Sequence, residues 1–269
     1  MTEKTLKSGV TLSLAGKVVL VTGGSRGIGA ATVKLLRQAR ARVVFSYRAA
    51  ETQAAALVQA CGGEAFCRAL KQELATVEDG QALVEAAVAV FGRIDCLVVN
   101  HGIWPPQDVA IATMSVAQWR STMGVNLDSV FGLVSAGVKQ MLAQEPDAKG
   151  IRGHVVLVAS TAAQRGEAFH ADYAASKGAL LSMTKSLSSE LAPQGILCNC
   201  VAPGWVSTEM SAGTLADPIA SKKALGLIPL GRAADPEEIA GPILFLCTPW
   251  AGFVYGEVFN VNGGAVLVG

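Results

Sequence analysis

Three side chains at set spacings carry the chemistry of this 269-residue sequence. Tyr173 and Lys177 stand four residues apart in Tyr173-Ala174-Ala175-Ser176-Lys177, opening a helical stretch that runs to about Leu191. Residues at i and i+4 share a helical face, so a phenol and an ammonium lie side by side. A nearby positive charge favours phenolate and is expected to lower the tyrosine pKa, as proton exchange near neutrality requires. Ser160, thirteen residues upstream, ends an apolar run, and its hydroxyl can donate to a substrate oxygen held against the tyrosine. A tyrosine and a lysine on a solvated helix face would show the same spacing. The serine turns the balance toward an acid–base site.

A second cluster lies near the N-terminus. Thr22-Gly23-Gly24-Ser25-Arg26-Gly27-Ile28-Gly29 follows the apolar Val18–Val21 and opens a helical stretch. Glycine lets the chain turn tightly and approach a pyrophosphate, whose charge a helix N-terminus meets. Placed between the first strand and first helix of a βαβ unit, the turn points to a dinucleotide.

These residues need elements to bring them together. Apolar runs lie at Val18–Thr22, Arg42–Ser46, Ala65–Ala69, Ile94–Asn100, His154–Ser160, Ile196–Val201 and Glu257–Val261. They lack polar alternation, as strands covered on both faces do, and helix-length segments separate them. Ser115 with Gln118 reads as a capping box, and Asp235-Pro236-Glu237-Glu238 as an N-cap with proline in the first turn. The expected fold is α/β: a single Rossmann-type doubly wound domain over 15–269, with a seven-stranded parallel sheet and helices on both faces. Residues 1–14 read as a leader. Ligands of open α/β sheets sit outside the carboxyl ends of the strands. There the sequence puts 23–29, Asn100 and Gly102, Ser160, and Pro203-Gly204.

Composition narrows the class. The chain is 51% hydrophobic and 16% charged, with net charge +1, so disorder and a nucleic-acid field are both excluded. The charge-free stretch from Ile239 to Gly256 is broken by Pro242, Pro249 and three glycines, which argues against a membrane span. No apolar signal region precedes the first strand, and a cytoplasmic protein is expected. The six cysteines show no metal-ligand spacing and read as buried thiols, with Cys198 and Cys200 on one strand face. No metal is expected.

In its motifs the chain resembles the short-chain dehydrogenase/reductase family along nearly its whole length. The T-G-x-x-x-G-x-G turn, Asn126 in Val125-Asn126-Leu127, Ser160, the Tyr173/Lys177 pair and Pro203-Gly204-x-x-x-Thr208 fall in order. The resemblance implies an NAD(P)-dependent oxidoreductase interconverting a ketone and a secondary alcohol. It implies Tyr173 as the acid or base and Lys177 as holder of the nicotinamide ribose. Ser160 would polarise the carbonyl, and Asn126 would bind a water that completes a proton relay. The cofactor would touch Gly23, Ser25, Arg26, Gly27, Ile28, Gly29, Tyr47, Arg48, Glu73, Leu74, Asn100, Gly102, Pro203, Gly204, Val206 and Thr208. The family is usually tetrameric, and the apolar Ala265-Val266-Leu267-Val268-Gly269 suits an interface or the subunit core.

The chain departs from the family pattern in places. Val99-Asn100-His101-Gly102 stands for Asn-Asn-Ala-Gly, with His101 read as a packed or solvent-touching ring rather than a second acid; Glu73-Leu74 stands for Asp and an apolar residue; Asn262 stands for an aspartate. Strand two ends in Tyr47-Arg48 where an acid would bind ribose hydroxyls, and Arg26 sits in the glycine turn. Two arginines and no carboxylate favour the phosphate of NADP, with NAD possible. Substrate contacts are expected from Trp104, Ser160, Gln164, Phe169 and Trp205, in an apolar pocket under a mobile lid over about 208–230. A small carbonyl or alcohol is the expected substrate. The nearest general resemblance is to 3-oxoacyl-[acyl-carrier-protein] reductases. Acyl carrier protein is less favoured, because Pro193-Gln194-Gly195 after the tyrosine helix offers no arginine for an acidic partner. A non-catalytic NADP-sensing protein would show a broken tetrad, and a methyltransferase would not need Tyr173, Lys177 and Ser160 in this arrangement.

Overall fold

The computed structural model describes residues 12–267. Seven strands form one parallel sheet: β1 (Val18–Val21), β2 (Arg42–Tyr47), β3 (Cys67–Lys71), β4 (Cys96–Val99), β5 (Gly153–Val158), β6 (Ile196–Pro203) and β7 (Val258–Val261). Their spatial order is β3-β2-β1-β4-β5-β6-β7, every neighbouring pair parallel. Third in sequence, β3 begins two residues later than its apolar run, because Ala65 and Phe66 belong to the turn before it.

Around the sheet lie α1 (Gly27–Gln38), α2 (Glu51–Ala60), α3 (Val77–Phe91), α4 (Val116–Met123), α5 (Ser129–Leu142), α6 (Ala162–Arg165), α7 (Ala171–Leu191), α8 (Ala212–Ala216), α9 (Pro218–Leu225) and α10 (Pro236–Leu246). Strand periodicity sorts the apolar residues into two layers. Val19, Val21, Val43 and Phe45 pack on one face with Val33 and Leu36 of α1 and Ile243 of α10. Leu20, Val44, Leu97 and Val99 pack on the other with Leu83 of α3, Leu133 of α5 and Leu180 of α7. Both faces are thereby dry, which is why the strands carry no polar alternation.

Leu14, assigned to the leader, is 2% exposed in the first layer, and its N–H donates to the Ala39 carbonyl at 2.7 Å. Residues 1–11 of that segment lie outside the described residues, as do Val268 and Gly269. Leu267 is 89% exposed on the single chain, so the subunit core does not take it.

Helix starts follow local chemistry. Ser115 accepts the Gln118 N–H at 3.1 Å, but the Gln118 amide turns away and donates to Asp172 at 3.1 Å, so the expected box is half made. A full box instead starts α3, between Thr76 and Asp79. At α10, Glu238 accepts the Asp235 N–H at 2.8 Å and pairs with Arg232. All six cysteines are free and buried, Cys198 and Cys200 facing the same layer. Among the described residues there is no metal-holding cluster, and no helix is long and apolar enough to cross a membrane.

Candidate active site

The order of the sheet reverses at β1, whose neighbours β2 and β4 carry their connections to opposite sides, and a cleft of about 430 Å³ opens over the carboxyl ends there. Its first wall is the glycine turn. Gly24 N–H donates to the Ser46 carbonyl at 2.8 Å, and the Asn100 amide donates to the carbonyls of Thr22 and Gly23 at 3.0 and 3.3 Å. Gly23 has φ +64, which side chains with a Cβ resist. Gly29 does not line the cleft: a Cβ there would sit 2.1 Å from the Gly23 carbonyl oxygen, so its role is to let α1 close against the turn. Gly29→Ala is expected to destabilise the fold by about 2 kcal/mol in urea unfolding and to weaken cofactor binding.

Whether this wall fits a dinucleotide can be judged from α1. Its N-cap, Arg26, makes no side-chain cap hydrogen bond, and no acidic residue stands in the first turn. The leading N–H groups therefore lack a side-chain acceptor and point at the cleft, as a pyrophosphate site requires. Tyr47, Arg48, Glu73 and Leu74 line the far end beyond Arg26. There Arg48 lies 3.9 Å from Glu73, both exposed, a weak pair that leaves the guanidinium available.

The second wall holds the candidate reacting groups. Ser160 ends the strand register of β5, and Tyr173 and Lys177 project from the first turns of α7, all three lining the cleft. The Ser160 hydroxyl lies close enough to Tyr173 to act on its phenol. Lys177 is 4% exposed, and its Nζ donates to the Val158 carbonyl at 2.8 Å. Asn126 stands behind them on a π-helical turn, Gly124–Asp128, between α4 and α5. Such turns recur at functional sites because the extra residue redirects a side chain inward. Asn126 accepts the Ile103 N–H at 2.8 Å and donates to the Ile103 carbonyl at 2.9 Å and to Ser176 at 3.1 Å. It therefore fixes the loop after β4 rather than lining the cleft. At Gly102 an added Cβ would meet Asn126 Oδ1 at 3.1 Å and Lys177 Nζ at 3.3 Å, so the three positions converge.

Electrostatics differ from the expectation at one point. Burial pushes the Tyr173 phenol up to about 12, the Ser160 hydrogen bond pulling it the other way and the Glu167 charge adding to the rise. Burial also brings Lys177 down to about 8. The pair does not depress the tyrosine, because desolvation in a dry cleft outweighs a neighbour whose own charge is disfavoured. His101 is packed. Its Nδ1 meets Thr22 Oγ1 at 2.8 Å and its Nε2 meets Ser129 Oγ at 2.8 Å, and burial drops its pKa to about 3. It ties the glycine turn to α5 as a neutral ring.

A family model described as Enoyl-(Acyl carrier protein) reductase matches residues 23–266. The 3-oxoacyl-[acyl-carrier-protein] reductase of Synechocystis is 38% identical over 259 residues, covering 95% of this chain and 99% of that protein. The chain belongs to the short-chain dehydrogenase/reductase family. A solved short-chain dehydrogenase/reductase of Brucella melitensis, described as a glucose/ribitol dehydrogenase, is 34% identical with TM-score 0.86, over 96% of this chain and all of that one. A structure from Agrobacterium tumefaciens with bound NADP is 33% identical with TM-score 0.82, over 96% of this chain and 99% of that one. The protein is thus an oxidoreductase of a family that binds NAD(P).

The substrate end of this dehydrogenase/reductase departs from the sequence expectation. Trp104 and Trp205 line the cleft, with rings 6.1 Å apart and nearly perpendicular. Gln164 does not line it; its Nε2 donates to Asn260 at 2.6 Å. Nor does Phe169, which is 52% exposed at φ +67 with its carbonyl tied to the Val109 N–H. The α6 turn between Ser160 and Tyr173 rotates both outward. It brings Arg165 and Glu167 into the cleft instead, so the lining is not purely apolar. Pro203, Gly204, Val206 and Thr208 complete the rim, with Met210 and Ser211 beyond them. Asn262 is a turn residue, bonded to Val266 and Gly264.

Proposed function

We propose that the protein is an NADP-preferring ketone reductase or secondary-alcohol dehydrogenase working through Asn126, Ser160, Tyr173 and Lys177. The observation that carries this is the convergence of Ser160, Tyr173 and Lys177 on one cleft that begins at the uncapped N-terminus of α1. Bound NADPH supplies a hydride to the carbonyl carbon. Ser160 donates to the carbonyl oxygen and Tyr173 delivers the proton to the resulting alkoxide. Lys177 holds the nicotinamide ribose with the protons it does not give to Val158, and Asn126 positions the Gly102–Trp104 backbone that shapes the floor. The residues 208–230 form the lid. The unit is a cytoplasmic homotetramer, and the exposed Leu267 suits burial between subunits.

Preference for NADP rests on Arg26 and Arg48, which line the cleft beside Tyr47. The double variant Arg26→Ala with Arg48→Ala is expected to raise the KM for NADPH by about 10- to 100-fold and to leave that for NADH within about threefold. Parallel initial-rate measurements with both cofactors check this.

A 3-oxoacyl-[acyl-carrier-protein] reductase is the second reading. The Synechocystis relative favours it, and so does Arg152, which reaches the turn after α7 and donates to the Gln194 carbonyl at 3.0 Å. An acetoacetyl thioester assayed beside β-keto esters, aryl ketones and cyclic ketones decides between them. Turnover of the thioester alone would establish the carrier-protein substrate.

A further inference from the structure

The upper end of the cleft holds a carboxylate where a pocket for purely apolar ketones would have none. Glu167 lines the same cleft as Ser160 and Tyr173. Its Oε1 accepts from Trp104 Nε1 at 3.3 Å. Trp104 is itself locked, stacked on His170 at 4.8 Å and 15° and edged by Trp205. His170 is 3% exposed, and its Nε2 lies 2.9 Å from the Pro105 carbonyl. The carboxylate is therefore held by a rigid aromatic frame, and its Oε2 accepts no hydrogen bond among the described residues.

We infer that Glu167 determines substrate specificity, selecting carbonyl compounds and alcohols that carry a further hydroxyl beside the reacting carbon. This rests on the oxidoreductase reading above. A carboxylate oxygen with no protein donor loses its water when a ligand covers it; a substrate hydroxyl replaces that water with a charge-assisted hydrogen bond. An alkyl or aryl ketone of the same size displaces water from Oε2 and returns nothing, so it is penalised. Burial already raises the Glu167 pKa, which a donor on the substrate would reverse. Arg165, Asp108 and His170 are the other charged or titratable groups acting on it, and Arg165 lowers the cost of the carboxylate charge without filling Oε2. The perpendicular indoles of Trp104 and Trp205 offer apolar surface to the C–H side of a hydroxylated substrate.

Matched pairs test this: 2-hydroxycyclohexanone against cyclohexanone with NADPH, and 1,2-cyclohexanediol against cyclohexanol with NADP. The wild type is expected to favour the hydroxylated member by about 10- to 100-fold in kcat/KM, mainly through KM. In Glu167→Leu the ratio is expected to fall to within about threefold, and Glu167→Gln to lie between. Titration of the NADPH complex with 1,2-cyclohexanediol, read by tryptophan fluorescence, should give saturable quenching that Glu167→Leu loses. Equal kcat/KM within the pairs, or a preference surviving in Glu167→Leu, overturns the inference. Glu167-dependent diol binding without any turnover would defeat the oxidoreductase reading and leave this one standing.

Discussion

Tyr173→Phe is expected to lower kcat/KM for ketone reduction by about three orders of magnitude while NADPH affinity stays within about twofold. The phenol sits in the dry part of the cleft beside Ser160, and burial holds its pKa near 12. It is thus a phenol at any ordinary pH, loaded to donate to an alkoxide. Phenylalanine keeps the ring and its packing, leaves Ser160 to polarise the carbonyl, and removes only the proton. Turnover within about threefold of wild type would show that another group or water delivers it. The same elevated pKa sets the two directions apart. Alcohol oxidation needs the ionised tyrosine and should rise with pH between about 6 and 10, whereas reduction should not rise and should fall above about 8, where Lys177 loses its charge. Initial rates in both directions across that range check the sign.

Lys177→Met is expected to abolish most turnover and yet to change the stability of the cofactor-free protein in the opposite sense near neutrality. A lysine ordinarily near 10.5 is brought to about 8 by burial beneath Gly102 and Val158. Below about pH 8 the ammonium is charged in both folded and unfolded chains, and the fold bears the full desolvation penalty. Between about 8 and 10.5 the unfolded chain keeps the proton that the folded chain has lost, so stability rises with pH. Above 10.5 both are neutral. The penalty is on the order of 3 kcal/mol. Wild type should therefore gain on Lys177→Met through that window, by up to about that amount, in urea unfolding series at stepped pH. Tyr173 and Cys198, both raised by burial, titrate the other way but are common to both proteins and cancel; Cys200, also raised by burial, is held lower by Lys177 and rises further when that charge is removed. A constant difference across the window would mean that Lys177 titrates normally.

The seven strands were legible because buried parallel strands must be apolar on both faces, and no other element of this length has that signature. The glycine turn was legible for a related reason, since φ +64 at Gly23 and the 2.1 Å approach at Gly29 leave few other residues possible. Ser160, Tyr173 and Lys177 were placed by spacing, because a strand end and one helical face bring them to the same cleft. Asn126 was found by motif alone. Nothing in Gly124-Val125-Asn126-Leu127-Asp128 signals a π-helical turn, which depends on α4 and α5 packing at fixed positions on either side.

The loop between Ser160 and Tyr173 shows where linear reading ends. Spacing nominated Gln164 and Phe169; the structure turns both away and presents Arg165 and Glu167. That outcome hangs on contacts with distant segments, Trp104 to Glu167 and Gln164 to Asn260, which no local propensity encodes. Half of the expected Ser115 box was lost the same way, when Gln118 found Asp172 on α7. Proton affinities belong to this second class too. The sequence supplied a lysine four residues from a tyrosine and so determined which groups meet. Only the tertiary structure decided how dry their meeting place is, and dehydration, acting on each charge separately, overrode the attraction that spacing alone predicted.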